Sequence, residues 1–567
     1  MWSLFTKSGK PVSPLKYSNG KTQEQVIDEI LDHLKNERIV LFKGAVGTGK
    51  SVIALHLVKY FGKGHIVVPT KILEKQYHDD YTKRFYIKGL KIYYFMGKTN
   101  YRCKFRNFRV NCGHFSCPCS CPLNEGQSRL EVARVCPHYS PVVGVEIAHK
   151  VKNILEQTHL QKYKIYKYEA VRGEQAHILS PDPCEYFSMF KVYTDPSPHV
   201  TIFNLAKWEI ETWIGRKSKV PIEIIDEGDL FLDNLTYKVV FSKGIFEAMR
   251  TEGLVPLDKI NFIEQKFRDT IQIVGYYDDV LGYNDFVIEF LKDFVDELAG
   301  ISTSGTVCQM VERVRLILRY MYKSWCKTDK NKIIVYIPRP DLTLKALMER
   351  CGKLVLMSGT FQREEVLREV FDIDPPIVEG ETRYPGIIKL KMTGKEMDVT
   401  TSNWEKQYFK RKYWALLDKI LNRAKKPCLV QVHAFKYVPN NVSVNKEKDG
   451  ILFSTVTDRG IDLKDEKCRS IVILKFPLPD LNDPVLKTMK KLLKGKFWKY
   501  YVDIAKRELV QQVGRGVRHK DDWVEVWTLD KRVLRELPKL WKGKIQISRV
   551  DLDGKKVKTL NDLKKFK

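Results

Sequence analysis

The chain of 567 residues has no run of about 18 apolar residues, so the sequence offers no membrane-spanning helix. Its first residues, Met1-Trp2-Ser3-Leu4-Phe5-Thr6-Lys7, lack the long apolar stretch of a secretory signal, and the chain is expected to stay in the cytosol or its equivalent, nucleus or nucleoid. No internal repeat is present, which sets aside solenoids and propellers. Negative charge is the scarce sign: 69 acidic against 98 basic residues leave a formal net charge of +29. Such an imbalance favours a polyanionic partner, nucleic acid first. Hydrophobic residues make up 43% of the chain, enough to bury large cores. The length suits roughly three or four domains.

Cysteine is unevenly placed. Of 12 cysteines, seven fall between positions 103 and 184: Cys103, Cys112, Cys117, Cys119, Cys121, Cys136 and Cys184. In a reducing compartment a cluster of this kind points to metal or an iron–sulfur centre rather than to disulfides. The run Cys112, Cys117, Cys119, Cys121, with His114 beside it, could also supply four tetrahedral zinc ligands.

Two series of short apolar runs organise the rest. The first comprises residues 38–43, 65–70, 91–95, 200–203, 222–225 and 354–357; the second comprises 387–390, 429–432, 451–453, 471–474 and 524–527. Runs of this type suit parallel strands buried on both faces, and two series suggest two α/β domains in tandem. Residues 97–199, which hold the cysteines, and residues 233–345, whose apolar spacing is largely helical, read as two inserts in the first domain. The Lys-rich tail near Lys565-Phe566-Lys567 reads as frayed surface.

The strongest single motif is Gly44-Ala45-Val46-Gly47-Thr48-Gly49-Lys50-Ser51, a complete phosphate-binding loop between an apolar run and a helical pattern. Backbone N–H groups of such a loop face phosphate oxygens, Lys50 can reach the β- and γ-phosphates of a nucleoside triphosphate, and the Ser51 hydroxyl can hold Mg²⁺. Ile224-Ile225-Asp226-Glu227 ends a hydrophobic run on two carboxylates. Asp226 is expected to hold Mg²⁺ and Glu227 to polarise the attacking water. Gln511-Gln512-Val513-Gly514-Arg515-Gly516-Val517-Arg518 places Arg515 and Arg518 three apart on one helical face, where they can converge on a γ-phosphate as arginine fingers.

These three motifs, in this order, resemble superfamily 2 helicases, and further segments resemble the XPD/DinG family of iron–sulfur helicases. Pro69-Thr70-Lys71-Ile72-Leu73-Glu74-Lys75-Gln76 is similar to the family segment that touches the nucleic-acid backbone. Gly97-Lys98-Thr99-Asn100-Tyr101-Arg102-Cys103 is similar to the lead-in to the first cluster cysteine. Cys184-Glu185-Tyr186-Phe187 resembles the setting of the last one, and Cys136-Pro137-His138-Tyr139 that of the third. Ser358-Gly359-Thr360 resembles the coupling motif, Arg459-Gly460-Ile461-Asp462 the glycine–aspartate motif, and Phe476-Pro477-Leu478-Pro479 through Asp483-Pro484, with Asp530-Lys531-Arg532, the C-terminal signature. The similarity runs from about residue 20 to residue 532. Two departures stand out. The family usually has Asp-Glu-Ala-His where this chain has Asp226-Glu227-Gly228-Asp229, and Arg459 stands where an acidic residue is usual.

The resemblance implies an α/β fold of two tandem RecA-like domains, the first split by a cysteine-rich iron–sulfur insert and a helical arch-like insert. The corresponding boundaries are 1–96, 200–232 and 346–384 for the first motor domain, 97–199 and 233–345 for the inserts, and 385–567 for the second motor domain. It implies a [4Fe–4S] cluster held by Cys103, Cys136, Cys184 and one of Cys112, Cys117, Cys119 or Cys121, with Cys121 favoured. ATP, Mg²⁺ and single-stranded DNA or a forked duplex are the expected ligands, with 5′→3′ movement and no membrane. A translocase that does not separate strands and a non-catalytic nucleic-acid scaffold are the competing readings; Lys50, Asp226, Glu227, Gln511, Arg515 and Arg518 together argue against the scaffold. Basic residues Lys104, Arg106, Arg109 and Arg134 suit a strand-guiding surface on the cysteine-rich insert. The stretch Lys487 to Tyr501, where lysines alternate with aromatics, reads either as a grip on single strands or as an ordinary half-buried helix.

Overall fold

The structure, a computed structural model, describes residues 2–45, 47–97, 100, 101, 104, 136–252, 255–299, 306–439, 442–454, 465–517 and 519–552. Val46, Cys103, Cys112, Cys117, Cys119, Cys121, Arg518, the stretch Arg459 to Asp462, the lysine-rich tail, and Arg106, Arg109 and Arg134 lie outside the described residues.

Two seven-stranded sheets form the frame. In the first, the strand order is Ile377–Glu379, Ile39–Lys43, Lys353–Ser358, Ile222–Asp226, Lys63–Val68, His199–Asn204, Lys91–Tyr94, and every pairing is parallel. Alternate residues serve opposite faces, as a period of two requires. Val40, Phe42, Ile66, Val68, Ile224 and Met357 pack under the N-terminal helices Gln23–Asn36 and Lys50–Phe61. Leu41, Val67, Ile225, Leu354 and Leu356 turn the other way, into a core that runs on to Trp208, Trp213 and Phe241. The second sheet runs Glu447–Lys448, Ile451–Ser454, Cys428–Gln431, Ser470–Ile473, Trp523–Thr528, Ile387–Met392, Lys544–Arg549, parallel except at its short first edge strand. All eleven apolar runs of the sequence reading coincide with strands of these two sheets. Edge strands Ile377–Glu379 and Lys544–Arg549 escaped that reading because each is short or alternates with charge.

Both interruptions of the first sheet leave and return through neighbouring strands. Residues between Lys91–Tyr94 and His199–Asn204, which pair directly, include a three-stranded antiparallel sheet and helix Ala148–His159. Residues between Ile222–Asp226 and Lys353–Ser358, also direct partners, hold the second module. Here helices do predominate, as the apolar spacing suggests, but a sheet that the spacing does not show lies beside them. Helices Lys243–Glu252, Leu257–Val274, Asp285–Leu298 and Thr306–Arg319 accompany a four-stranded antiparallel sheet in the order Lys238–Ser242, Lys332–Tyr336, Trp325–Asp329, Tyr277–Val280. Strands of four or five residues carry too few periods to register beside 14- and 18-residue amphipathic helices. The module also touches the second lobe: the Tyr336 hydroxyl lies 2.8 Å from Thr488 Oγ1.

Between the two large sheets the chain turns on Gly386, whose φ is +69°. A Cβ there would stand 2.3 Å from Val517 Cγ1 and 2.5 Å from the Asp522 carbonyl oxygen, so the turn needs glycine on both steric counts. Among the described residues no helix is long and apolar enough to cross a membrane.

Candidate nucleotide site between the two sheets

Three motifs separated by hundreds of residues meet at the C-terminal edge of the first sheet, the edge at which open α/β sheets bind ligands. The phosphate loop follows Ile39–Lys43, Ser358 ends the adjoining strand, and Asp226 ends the strand after that. The strand carrying Ser358-Gly359-Thr360 therefore lies between the other two, and Gly44 N–H donates to the Ser358 carbonyl at 2.9 Å.

Gly47 and Gly49 turn the loop at φ +83° and +70°. Lys50 starts the following helix, and its Nζ donates to the Gly44 carbonyl at 3.1 Å. The loop is braced from outside by residues the motif did not identify. Tyr17 donates its hydroxyl to the Thr48 carbonyl at 2.8 Å, and Gln23 Nε2 donates to the same oxygen at 3.1 Å. Gln23 is buried in the first turn of its helix, which Thr22 and Gln25 close with a reciprocal capping box. That box is legible in the sequence and could have marked Gln23 as an inward-facing first-turn residue. A Cβ on Gly49 would meet Gln23 Nε2 at 2.3 Å.

Asp226 and Glu227 are partly exposed at the strand end. Burial pushes the Asp226 carboxyl above the usual aspartate range, against the pull of Lys50 and of the Tyr77 hydroxyl. Tyr77 donates to Asp226 Oδ2 at 3.1 Å, and the Glu227 N–H donates to Oδ1 at 3.1 Å. Ser51 Oγ lies 2.7 Å from the Tyr81 hydroxyl. Glu227 adopts φ +55°, ψ +48°, a left-handed conformation that costs a glutamate of order 1 kcal/mol or more and clusters at functional sites. Gly228 is required by contact: a Cβ would lie 2.7 Å from Leu356 Cβ, so the alanine usual in the resembling family has no room here.

Asp229, at the position of the family's histidine, is fully buried and accepts from Ser358 Oγ at 2.7 Å and Thr360 Oγ1 at 3.0 Å. Gln511 of the long helix Gly495–Gly514 donates to Thr360 Oγ1 at 2.8 Å, so the second lobe reaches the coupling motif directly. One helical turn earlier, Arg507 crosses to the first lobe. It grips Asp233 with two N–H groups at 2.8 and 2.9 Å, pairs with Asp503 at 2.9 Å, and stands 3.5 Å from Asp229. Arg363 bonds Asp503 at 3.1 Å from the first-lobe side. Arg515 is buried four residues after Gln511. Sequence reasoning missed Arg507 and Asp233, for which no local pattern exists.

Cys136 and Cys184 are both buried. Their segments lie side by side: His138 Nδ1 is 2.6 Å from the Asp182 carbonyl oxygen, and the Tyr139 and Phe187 rings meet edge to face at 5.4 Å. Among the described residues no group of three or more His, Cys, Asp or Glu gathers as a metal site. In the basic stretch, Phe497, Tyr500 and Tyr501 are buried, whereas Trp498 is 45% exposed with Lys490 Nζ 5.0 Å from its ring. The half-buried-helix reading therefore accounts for three of its aromatics and leaves Trp498 on the surface.

Helix Lys71–Asp79 has two faces. Lys71, Ile72 and Lys75 are exposed, while Glu74 and Tyr77 are buried. Glu74 accepts from Asn204 Nδ2 at 2.9 Å, and burial lifts its carboxyl to about 7 from an ordinary value of 4.5. A raised carboxyl favours folding only while protonated; that advantage is complete below the unfolded value and disappears as pH rises through about 7. Glu74→Gln keeps an acceptor for Asn204 and cannot ionise. The variant is expected to match the native chain near pH 4 and to exceed its stability at pH 8 by up to about 3 kcal/mol. Thermal melts at the two pH values check this.

The chain is similar to known proteins in sequence and in fold. Residues 386–543 match the family model described as Helicase C-terminal domain, and residues 16–110 match Type III restriction enzyme, res subunit. The Regulator of telomere elongation helicase 1 homolog of Caenorhabditis elegans is 25% identical over 230 residues, 37% of this chain and 23% of that protein. The Fanconi anemia group J protein homolog of Gallus gallus is 33% identical over 100 residues, 15% and 8% of the two chains. ATP-dependent DNA helicase chl1 of Schizosaccharomyces pombe is 27% identical over 154 residues, 22% and 18%. The matched region thus spans less than a quarter of each of these relatives. An XPD helicase structure superposes with a TM-score of 0.56 at 17% identity, covering 93% of this chain and 98% of the other. An apo XPD structure gives 0.51 at 16% identity, covering 93% and 100%. The two-lobed α/β fold is that of these structures.

Proposed function

We propose that this chain, XPD/DinG-like in its motifs, its family matches and its fold, is an ATP-dependent DNA helicase that moves 5′→3′ along single-stranded DNA. The observation that carries the reading is the meeting of phosphate loop, Asp226-Glu227 and Ser358-Gly359-Thr360 on three adjacent strand ends, with Gln511 and Arg507 reaching in from the second lobe. Gly44, Ala45, Val46, Gly47, Thr48 and Gly49 cradle the phosphates of ATP, and Lys50 balances their charge. Ser51 and Asp226 hold Mg²⁺; a hydroxyl and a carboxylate are hard oxygen donors of the kind that ion takes, and a cation favours the ionised form that the surroundings of Asp226 disfavour. Glu227 orients and polarises water. Gln511, Arg515 and Arg518 complete the site when the lobes close.

The first motor domain comprises 1–96, 200–232 and 346–384, and the second 385–567; 97–199 is the iron–sulfur insert and 233–345 the arch-like one. Cys103, Cys121, Cys136 and Cys184 hold a [4Fe–4S] cluster, a reading supported by the two described cysteines, buried on neighbouring segments. Single-stranded DNA crosses both lobes, touching Lys71 and Lys75 on the exposed face of their helix.

The test is unwinding of partial duplexes with a 5′ or a 3′ overhang at two salt concentrations. Opening from the 5′ overhang is expected, with affinity falling by a log–log slope of roughly −0.7 per phosphate contact. Opening only from the 3′ overhang overturns the polarity, and salt-insensitive binding overturns the electrostatic reading. Asp229 in place of histidine favours one second reading, a translocase that does not part strands. DNA-stimulated hydrolysis with neither substrate opened selects it.

A further inference from the structure

Two tyrosines from one short segment end on the two oxygens assigned above to Mg²⁺. Tyr77 closes helix Lys71–Asp79, and Tyr81 lies in the π-helical turn Asp80–Arg84 that continues it. Turns of that kind are uncommon and are found disproportionately at functional sites. The two rings are buried, with centroids 6.4 Å apart. The Tyr77 hydroxyl donates to Asp226 Oδ2 at 3.1 Å, and the Tyr81 hydroxyl stands 2.7 Å from Ser51 Oγ.

We propose that Tyr77 and Tyr81 are positioning residues for the divalent cation, orienting the carboxylate of Asp226 and the hydroxyl of Ser51 toward it. The inference rests on the assignment of those two groups to Mg²⁺. A serine hydroxyl has one proton and two lone pairs. To face a cation it must send the proton elsewhere, and the Tyr81 oxygen is placed to accept it. The Asp226 carboxylate could otherwise rotate about its last torsion. The Glu227 N–H on Oδ1 and the Tyr77 O–H on Oδ2 fix its plane from both sides. Groups that orient metal ligands in this way are worth about 10–100-fold in metal affinity. A purely packing role would need only the rings, which contact one another, Tyr81 also meeting Phe85.

Tyr→Phe keeps the ring and deletes the hydroxyl, so it separates the two roles. Tyr77→Phe, Tyr81→Phe, the double variant, Ser51→Ala and Asp226→Asn are compared in the full chain. Mn²⁺ serves as the paramagnetic probe, titrated by EPR in the presence of a non-hydrolysable ATP analogue. Affinity for a fluorescent nucleotide in EDTA and the melting temperature are the controls. Each Tyr→Phe change is expected to weaken Mn²⁺ binding by about tenfold, with nucleotide affinity in EDTA unchanged. Native Mn²⁺ affinity in the double variant, alongside weakened binding in Ser51→Ala and Asp226→Asn, overturns the tyrosine proposal and spares the metal site. Native affinity in Ser51→Ala and Asp226→Asn overturns the metal assignment and the proposal with it. Loss of nucleotide binding in EDTA together with a lowered melting temperature assigns the tyrosines to packing and also overturns it.

Discussion

Glu227→Gln is expected to leave ATP bound and to slow its hydrolysis by a factor of about 10²–10⁴, the range a positioned general base supplies. The side chain sits at the end of the buried strand Ile222–Asp226, on a residue held at φ +55°. A backbone of that conformation is not adopted for stability by a residue with a Cβ. Such conformations cluster at functional sites, where surrounding structure holds them in place. Glutamine has the same volume and rotamers, and it disturbs neither Gly228, which is packed against Leu356, nor the Asp226 contact made by the backbone N–H of residue 227. What it loses is the ability to take a proton. Nucleotide binding by fluorescence and single-turnover hydrolysis measured on the same preparation separate the two effects. Near-native turnover with normal binding would sink the assignment of Glu227. Lys50→Ala is the complementary case: the cation beside the phosphates is removed, and binding and hydrolysis should fall together.

Arg507→Met is expected to destabilise the chain by about 3–5 kcal/mol and to uncouple the lobes, because it strips from a buried cluster of carboxylates the guanidinium that three of them share while keeping an unbranched aliphatic stem. Arg507 serves Asp233, Asp503 and Asp229 at 2.8, 2.9 and 3.5 Å. Burial already holds the Asp233 carboxyl above the usual aspartate range, opposed by Arg507. Without the guanidinium the Asp233 carboxyl must take up a proton or remain charged with its partner gone. The sign of the pH effect follows. A carboxyl whose folded value is raised loses its contribution as pH rises through that value, so the deficit of Arg507→Met should grow from pH 5 to pH 8. Melting curves at both pH values measure it. The functional readout is DNA stimulation of hydrolysis: Asp229 also receives Ser358 and Thr360, and Thr360 receives Gln511, so the same knot joins the strand end at Asp226-Glu227 to the second lobe. A native melting temperature and full DNA stimulation would show the cluster to be incidental. Asp229→His, which restores the residue usual in the resembling family, should not act as a simple repair. It sets a second potential cation 3.5 Å from Arg507 and removes the carboxylate that two hydroxyls donate to.

The sequence by itself determined what is local. The phosphate loop between strand and helix, the hydrophobic run ending in Asp226-Glu227 and the helix that carries Gln511 and stops at Gly514, one residue short of Arg515 and so short of the helical face expected for it, each depend on residues within about one or two turns of one another, and backbone preference over such spans is written in side-chain type. The two series of apolar runs likewise announced two parallel sheets, because strands buried on both faces are apolar at every position. Only the tertiary structure decided neighbours. Nothing around residue 353 tells that its strand slips between those of residues 39 and 222, which brings Ser358-Gly359-Thr360 into bonding distance of both Gly44 and Asp229. Arg507 and Asp233 stand 274 residues apart, and each alone reads as an ordinary charge on a helix. Tyr77 and Tyr81 carry no motif of their own, and they became candidate positioning groups for Asp226 and Ser51 only once the fold set them against the strand ends. The antiparallel strands beside the long helices stayed hidden for the same cause: a short strand is defined by the partner it finds, and that partner is fixed by where the chain returns rather than by any pattern within the strand.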